Sequence, residues 1–386
     1  MRYRIIARLL GLLIISIALN MLGAILWSLY FSEPVWRHFL LTIAIALVIG
    51  SGLVYLGHSR KKLSISHKEA LFMVSIGWLV AGLVGSLPFY LSGTIPQYHD
   101  AFFETISGFT TTGASILTNI EALPKGMLFW RSYTHWLGGM GIIVLFVALF
   151  PFLGVSGKKM YQFEVPGPEV GGLKPKIQTS AFILWGIYVG MSVTETIALK
   201  IAGMTLFDAM CHTFGTMATG GFSTKNASIA FYLSPTIHII ITVFTIAAGA
   251  NFSIYYFLLR RNFMQVLYDT ELKTYLTIIL ISTLTFSFFL YNPVYYASFF
   301  DALVSASFNV VSIMTTTGFA TANTDTWPML LKLWLLMLMF IGGCGGSTGG
   351  GIKVARYVIV LKYVYAQIVT SYAPQRKFVI RVSHKP

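Results

Sequence analysis

Apolar residues run along this chain in long unbroken blocks at 5–31, 38–57, 69–93, 127–153, 177–203, 233–259 and 274–291, followed by an interrupted one from 329 to 371. A helix rises 1.5 Å per residue, so about 20 residues cross the roughly 30 Å of bilayer hydrocarbon. Each block reaches or nearly reaches that length, which predicts eight spans. Between them lie shorter apolar stretches of about ten residues, half a bilayer long, which must enter and turn back.

Composition agrees. The 386 residues are 56% hydrophobic and 10% charged, against about 25% charged in a soluble domain, so lipid is the solvent. The first block follows Arg2, Arg4 and Arg8 as a signal peptide would. It lacks a small-residue cleavage site and runs about twice the usual length of such a region, which predicts a retained anchor. The 27 basic and 13 acidic residues leave a net charge of +14. With the N-terminus in the cytoplasm, 21 of the 27 cations fall inside, and Arg37, Lys125, Arg131, Lys200, Lys225 and Lys332 stay outside. The charge therefore reads as membrane topology, and no nucleic acid is expected as a partner. Glu33, Asp100, Glu104, Glu121, Glu195, Asp208, Asp301 and Asp325 fall outside or in the outer half, making a mildly acidic mouth that concentrates cations. Cys211 and Cys344 are too few and too far apart for a disulfide framework.

Three Thr/Gly-rich stretches between the spans repeat one another: DAFFETISGFTTTGAS from Asp100, DAMCHTFGTMATGGFS from Asp208 and SASFNVVSIMTTTGFA from Ser305. Aligned without gaps they superpose Gly113, Gly221 and Gly318. Thr111, Thr219 and Thr316 share a second column, and Thr112, Gly220 and Thr317 the column between. Each unit reads helix, short apolar helix, Thr/Gly strand, helix. Asp100 and Asp208 occupy matched columns at the starts of the first two short helices and Asp301 lies four residues before that column in the third; all are read as helix-terminal carboxylates.

Irregular backbone at membrane depth survives only when buried in protein or lining a wet cavity. A row of carbonyls can repay that exposure by replacing the hydration shell of a cation, as in potassium-channel filters. Glycine at the shared column permits positive φ. A helix-packing surface of small residues would explain one such stretch, but not three in register. A second irregularity is GGCGGSTGGGIK, from Gly342 to Lys353: seven glycines between Leu338 and Ile352 cannot hold a helix at about 1 kcal/mol each, so the last apolar block breaks in mid-membrane. No GxxxxGK[ST] string is present, which excludes a phosphate loop.

With these motifs the sequence resembles the Trk/Ktr/HKT superfamily of potassium transporters, most closely the bacterial Trk-type pore subunit, over its whole length. FWRSYTHWLGGMGIIVL from Phe129 to Leu145 is similar to the segment after that family's first filter, and the two leading spans match the extra pair of the Trk type. The resemblance implies potassium binding at Thr111, Thr112, Gly113, Thr219, Gly220, Gly221, Thr316, Thr317 and Gly318, glycine in the first column going with potassium preference and serine with sodium permeation. It implies an intramembrane gating loop made of Gly342, Gly343, Gly345, Gly346, Ser347, Thr348, Gly349, Gly350 and Gly351 with Lys353. It further implies a homodimer seated on a cytoplasmic ring of nucleotide-binding regulatory subunits, which the basic inner face with Lys158, Lys159, Arg260 and Arg261 could dock, in a bacterial inner membrane. No bond of the substrate changes, so no enzyme is expected, and no cofactor besides the transported K⁺.

The expected architecture is an all-α integral membrane protein: a two-helix unit at 1–66, helix–pore loop–helix units at 67–155, 156–262 and 263–371 around a central ion pathway, and a basic tail at 372–386. The family pattern has four such units and this sequence has three, so the chain alone is expected to conduct poorly, as a non-conducting remnant or part of a split transporter. Glu195, inside a span near Lys200, reads as an interfacial or paired carboxylate. His135, His212 and Asn251 read as satisfied structural hydrogen-bonders. No paired intramembrane aspartates or clustered metal ligands accompany them.

Overall fold

The computed structural model describes residues 3–58, 63–64, 66–139, 141, 155–156 and 177–373. The chain begins with α1 (Tyr3–Asn20) and α2 (Leu22–Tyr30), which together make one span of 28 residues, and returns through α3 (Trp36–Leu56). A Cβ on Gly11 would lie 2.5 Å from the Gly50 carbonyl oxygen, so the absence of side chains there lets α1 and α3 close on each other. The pair is tied to the first repeated unit by Glu33, whose carboxylate accepts from the amides of Lys125 (2.7 Å) and Gly126 (3.0 Å). Those amides open a helix of that unit, where an anion is favoured.

The first unit comprises α4 (His67–Gly85), α5 (Leu87–Leu91), the half-helix α6 (Tyr98–Phe109) and α7 (Lys125–Gly139). A reciprocal Ser66/Glu69 capping box starts α4. The second contains α8 (Ile177–Ile201), the half-helix α9 (Leu206–Met217), α10 (Pro235–Gly249) and α11 (Phe252–Leu259). After the short α12 (Phe263–Leu267), the third contains α13 (Thr270–Leu290), the half-helix α14 (Phe299–Met314), α15 (Met329–Phe340) and α16 (Val354–Tyr372). Among the described residues the only strand pairing is a two-residue parallel one, Leu63–Ser64 with Val155–Ser156.

Five of these helices are long and apolar enough to cross a membrane, and a sixth span exists if the α10–α11 pair counts as one. The remaining two expected spans differ for separate reasons. The block at 127–153 continues beyond the described part of α7, and the block at 329–371 is broken into α15 and α16 as its glycines require. The block at 233–259 was expected to be continuous. It instead bends by 95° between Gly249 and Phe252. Asn251 caps the new helix by accepting from Ser253 N at 2.9 Å, and the carbonyls freed at the end of α10 are taken by other elements. Tyr275 reaches Ile246 O (3.2 Å), Tyr255 reaches Ala247 O (2.6 Å), Thr348 reaches Ala248 O (3.2 Å) and Cys344 N reaches Gly249 O (2.8 Å). A bend inside an apolar block is stable here because every one of those carbonyls has a partner.

The half-helices are 12, 12 and 16 residues long. The third is longer by about one turn at its N-terminal end, which corrects the apparent offset of its acid. Asp100, Asp208 and Asp301 each stand third in their helix, in the first turn. Helix-terminal placement therefore holds for all three.

Candidate ion pathway

Each half-helix ends in the same way. Thr111 N and Thr112 N bond Gly108 O (3.0 Å) and Ser107 O (2.9 Å); Thr219 N and Gly220 N bond Thr216 O (3.0 Å) and Gly215 O (2.9 Å); Thr316 N and Thr317 N bond Ile313 O (3.0 Å) and Ser312 O (2.8 Å). These are three Schellman closures, in which the residue beyond the cap takes the left-handed conformation. That residue is usually glycine. Here it is threonine each time, with φ of 55°, 51° and 61° at Thr111, Thr219 and Thr316. Two residues on, Gly113, Gly221 and Gly318 are again positive, at 75°, 80° and 83°. Positive φ at the glycines was legible from the sequence. At the threonines it was not, and each costs on the order of 1–3 kcal/mol.

The strands lie against one another. A Cβ on Gly113 would run into the carbonyl oxygen of Gly220, and one on Gly221 into that of Thr317. These are equivalent contacts between successive units. The corresponding flank of Gly318 meets no described atom within 4 Å.

A second register-matched column, not singled out in the sequence, holds the C-terminal end of each strand to its half-helix. It reads Glu104, His212 and Asn309. Glu104 accepts from Ser115 Oγ (2.9 Å) and Ile116 N (3.0 Å), His212 Nε2 bonds Ser223 Oγ (2.9 Å), and Asn309 Nδ2 donates to Thr321 Oγ1 (3.0 Å). Ser107 and Ser312 add matched bonds of 2.6 Å to Ala114 O and Phe319 O. The signal was present as polar residues nine positions before each glycine.

Two charged residues that the sequence placed outside or in the outer half are buried within the protein. Arg131 Nε donates to Glu104 Oε1 at 2.6 Å, with side chains 2% and 0% exposed, and its Nη1 donates to Ser223 O at 3.1 Å. The pair is hidden because its charges serve backbone groups of two neighbouring units. His212 is satisfied as expected, its Nδ1 lying 2.8 Å from Asp208 O. His135 is satisfied on one side, accepting from Phe222 N at 3.4 Å through Nδ1. Glu195 is neither interfacial nor paired with Lys200: it is fully buried, and among the described residues it has no ion-pair partner.

On the other side of the strands lies the glycine-rich loop. Gly342 N bonds Ile352 O at 3.0 Å, pinching the loop at its neck. Gly350 N donates to Thr316 Oγ1 (2.7 Å), tying the loop to the third strand. Phe252 N donates to Gly346 O (3.1 Å), tying it to the bend between α10 and α11. Lys353 is buried, and its ammonium donates to Gly349 O. Glu271 Oε1 accepts from both Gly345 N (2.7 Å) and Ala355 N (3.0 Å). Glu271→Ala leaves two buried amides unsatisfied at about 1–3 kcal/mol each and is expected to loosen the loop. Cys344, fully buried beside Gly345, reports on this. Its maleimide labelling is expected to speed up about tenfold or more, as a local opening eased by about 1.4 kcal/mol or more requires, while buried Cys211 stays unreactive. Unchanged Cys344 labelling would refute the anchoring role.

Half-helices that end in irregular strands between membrane-length helices define a polytopic membrane transporter. The chain belongs to the TrkH family, described as cation transport proteins, which matches residues 36–384. It is 40% identical to the Trk system potassium uptake protein TrkH of Salmonella typhimurium and 39% identical to that of Escherichia coli K12, covering 100% of this chain and 80% of each relative. Escherichia coli TrkG is 31% identical over 93% of the chain and 74% of its own length. The crystal structure of the potassium transporter TrkH from Vibrio parahaemolyticus superposes with a TM-score of 0.87 at 35% identity, covering 100% of this chain and 80% of that one. Identity at this level over the full chain to uptake proteins does not favour the non-conducting remnant.

Proposed function

We propose that this protein takes up potassium across the bacterial cytoplasmic membrane. The observation that carries the reading is the register-matched strand at the end of each half-helix, left-handed at Thr111, Thr219 and Thr316 and again at Gly113, Gly221 and Gly318. In a regular strand successive carbonyls point to opposite sides. Alternating the hand of the backbone brings successive carbonyls to one side, where the carbonyls of Thr111–Gly113, Thr219–Gly221 and Thr316–Gly318 replace the water of a dehydrated cation. Each half-helix directs the negative end of its dipole at the same place. Potassium leaves inward past the loop from Gly342 to Gly351 with Lys353, which blocks the inner half and moves aside.

The three repeats, 67–155, 156–262 and 263–371, form three walls, and the open flank of Gly318 is where a fourth wall of the same kind fits. The N-terminus lies in the cytoplasm, as the distribution of cations supports. The pore subunit pairs as a homodimer and is regulated by a cytoplasmic nucleotide-binding ring docked on its basic inner face.

The test is growth and ⁸⁶Rb⁺ influx at low external potassium in a host without its own uptake systems. The chain is expressed alone and together with a segment carrying a fourth helix, half-helix and glycine strand from a TrkH-family relative. Uptake that prefers potassium over sodium is expected with the fourth wall present. Absence of cation flux in both arms, with the protein inserted in the membrane, would overturn the proposal.

A further inference from the structure

The second strand departs from the other two, and the departure has a structural counterpart. In the first and third units threonines flank the left-handed residue, and their hydroxyls clasp each other: Thr110 with Thr112 at 2.8 Å, Thr315 with Thr317 at 2.7 Å. The second unit has Ala218 and Gly220 in those columns, so it has no hydroxyl clasp of its own. The space is taken by α7 from the first unit. A Cβ on Gly220 would sit 2.5 Å from Nδ1 and 2.7 Å from Cγ of His135, and one on Gly139 would sit 2.6 Å from Cα of Ala218.

One turn before His135 on the same helix stands Arg131. Its guanidinium carbon lies 3.5 Å from the centre of the Phe222 ring. The His135 imidazole is stacked on that ring at 4.0 Å and 15°. Phe222 directly follows Gly221. Both of its neighbouring backbone groups are held from α7 as well, Phe222 N by His135 Nδ1 at 3.4 Å and Ser223 O by Arg131 Nη1 at 3.1 Å. The same Arg131 is bonded to Glu104, which holds Ser115 and Ile116 of the first strand. The outer ends of the first and second strands are thereby coupled through one buried guanidinium. A cation over an aromatic face and a planar fork on a carbonyl both require arginine geometry, which lysine does not reproduce.

We propose that Arg131 and His135 are positioning residues for ion discrimination: an external clamp from the first unit that replaces the hydroxyl clasp missing from the second strand and sets the position of the Gly221 carbonyl. Neither residue touches the ion. This inference rests on the reading of the strands as a potassium filter, and the experiment separates the two.

Four variants are compared with the unaltered chain under the conditions that give uptake: His135→Ala, Arg131→Lys, Gly220→Thr, and Gly220→Thr combined with His135→Ala. The readouts are membrane abundance, maximal ⁸⁶Rb⁺ influx, the KM for potassium, and the potassium-to-sodium uptake ratio. His135→Ala and Arg131→Lys are expected to reach the membrane and to lower the potassium-to-sodium ratio about tenfold, with KM raised more than the maximal rate falls. Gly220→Thr alone, driven against the imidazole, is expected to lose uptake. The double variant, which empties the space and restores the Thr-flanked pattern at Gly220, is expected to recover at least a tenth of it. A potassium-to-sodium ratio unchanged in both His135→Ala and Arg131→Lys would overturn the clamp, as would a double variant no better than Gly220→Thr at equal abundance. Absence of potassium uptake by the unaltered chain even with the fourth segment supplied would instead sink the filter reading beneath it.

Discussion

Gly221→Ala is expected to lower potassium influx about a hundredfold or more, equivalent to roughly 2.7 kcal/mol. Two effects act together. The residue has φ of 80°, a conformation that costs an L-residue about 1–2 kcal/mol, and the added methyl would meet the carbonyl oxygen of Thr317. That atom is backbone of the neighbouring strand and cannot swing away as a side chain would. Relief must come from displacing one of the carbonyls read as ion ligands, so the loss falls on selective transport more than on folding. Gly113→Ala faces the Gly220 carbonyl in the same way and is expected to behave alike. In the chain alone Gly318→Ala separates the two effects, because its φ of 83° carries the same strain while its flank meets no described atom. ⁸⁶Rb⁺ influx normalised to membrane abundance, with the fourth segment supplied, measures the first two, and the melting temperature of the chain alone compares Gly221→Ala with Gly318→Ala. Equal melting temperatures of Gly221→Ala and Gly318→Ala in the chain alone would show that contact between strands contributes nothing.

Glu104→Ala is expected to be the most destabilising single change outside the strands. The carboxylate accepts from Arg131, Ser115 and Ile116, and its removal leaves a guanidinium buried without its countercharge. Breaking a buried pair from one side costs about 3–5 kcal/mol. The melting temperature of the detergent-solubilised protein should fall sharply, and little protein should reach the membrane. Glu104→Gln/Arg131→Met, which removes both charges while keeping an acceptor for Ile116 N, is expected to recover much of the stability, since the uncompensated charge is the larger part of the penalty. It should not recover ion preference, because Phe222 and Ser223 lose their hold. A melting temperature of Glu104→Ala matching the unaltered protein would remove the pair from any account of the site.

The two predictions draw on different depths of information. Gly113, Gly221 and Gly318 could be found by aligning the chain with itself, and so could the need for positive φ there. Glu104 and Arg131 could not be paired by reading. They are 27 residues apart, and the distribution of charge placed each only by side, outside or in the outer half. Both are buried because Glu104 finds Arg131, Ser115 and Ile116 within its own unit and Arg131 also reaches Ser223 and Phe222 of the next. Glu195 misled: Lys200 lies five positions along the helix, which places it on a different face, while the carboxyl points into the protein.

The repeat was also easier to see than the way each copy is held. Columns of identical residues mark what all units share, and the glycines and left-handed threonines are of that kind. Ala218 and Gly220 break the column, and by themselves they look like drift. Only with α7 packed against them does the substitution acquire a cause, since His135 occupies the volume a threonine side chain would need.

What the order of residues determined alone was what the bilayer enforces locally: apolar helices of membrane length, half-length helices, and the break at the seven glycines. Hydrocarbon solvates no backbone and few charges, so those features must be written into contiguous sequence. Tertiary structure decided the rest. The 95° bend after Gly249 is stable because carbonyls of α10 find donors in the third unit as well as in Tyr255, and the second strand is held from the first unit. Both depend on hydrogen bonds and contacts between segments distant along the chain, and no local pattern records which segments those will be.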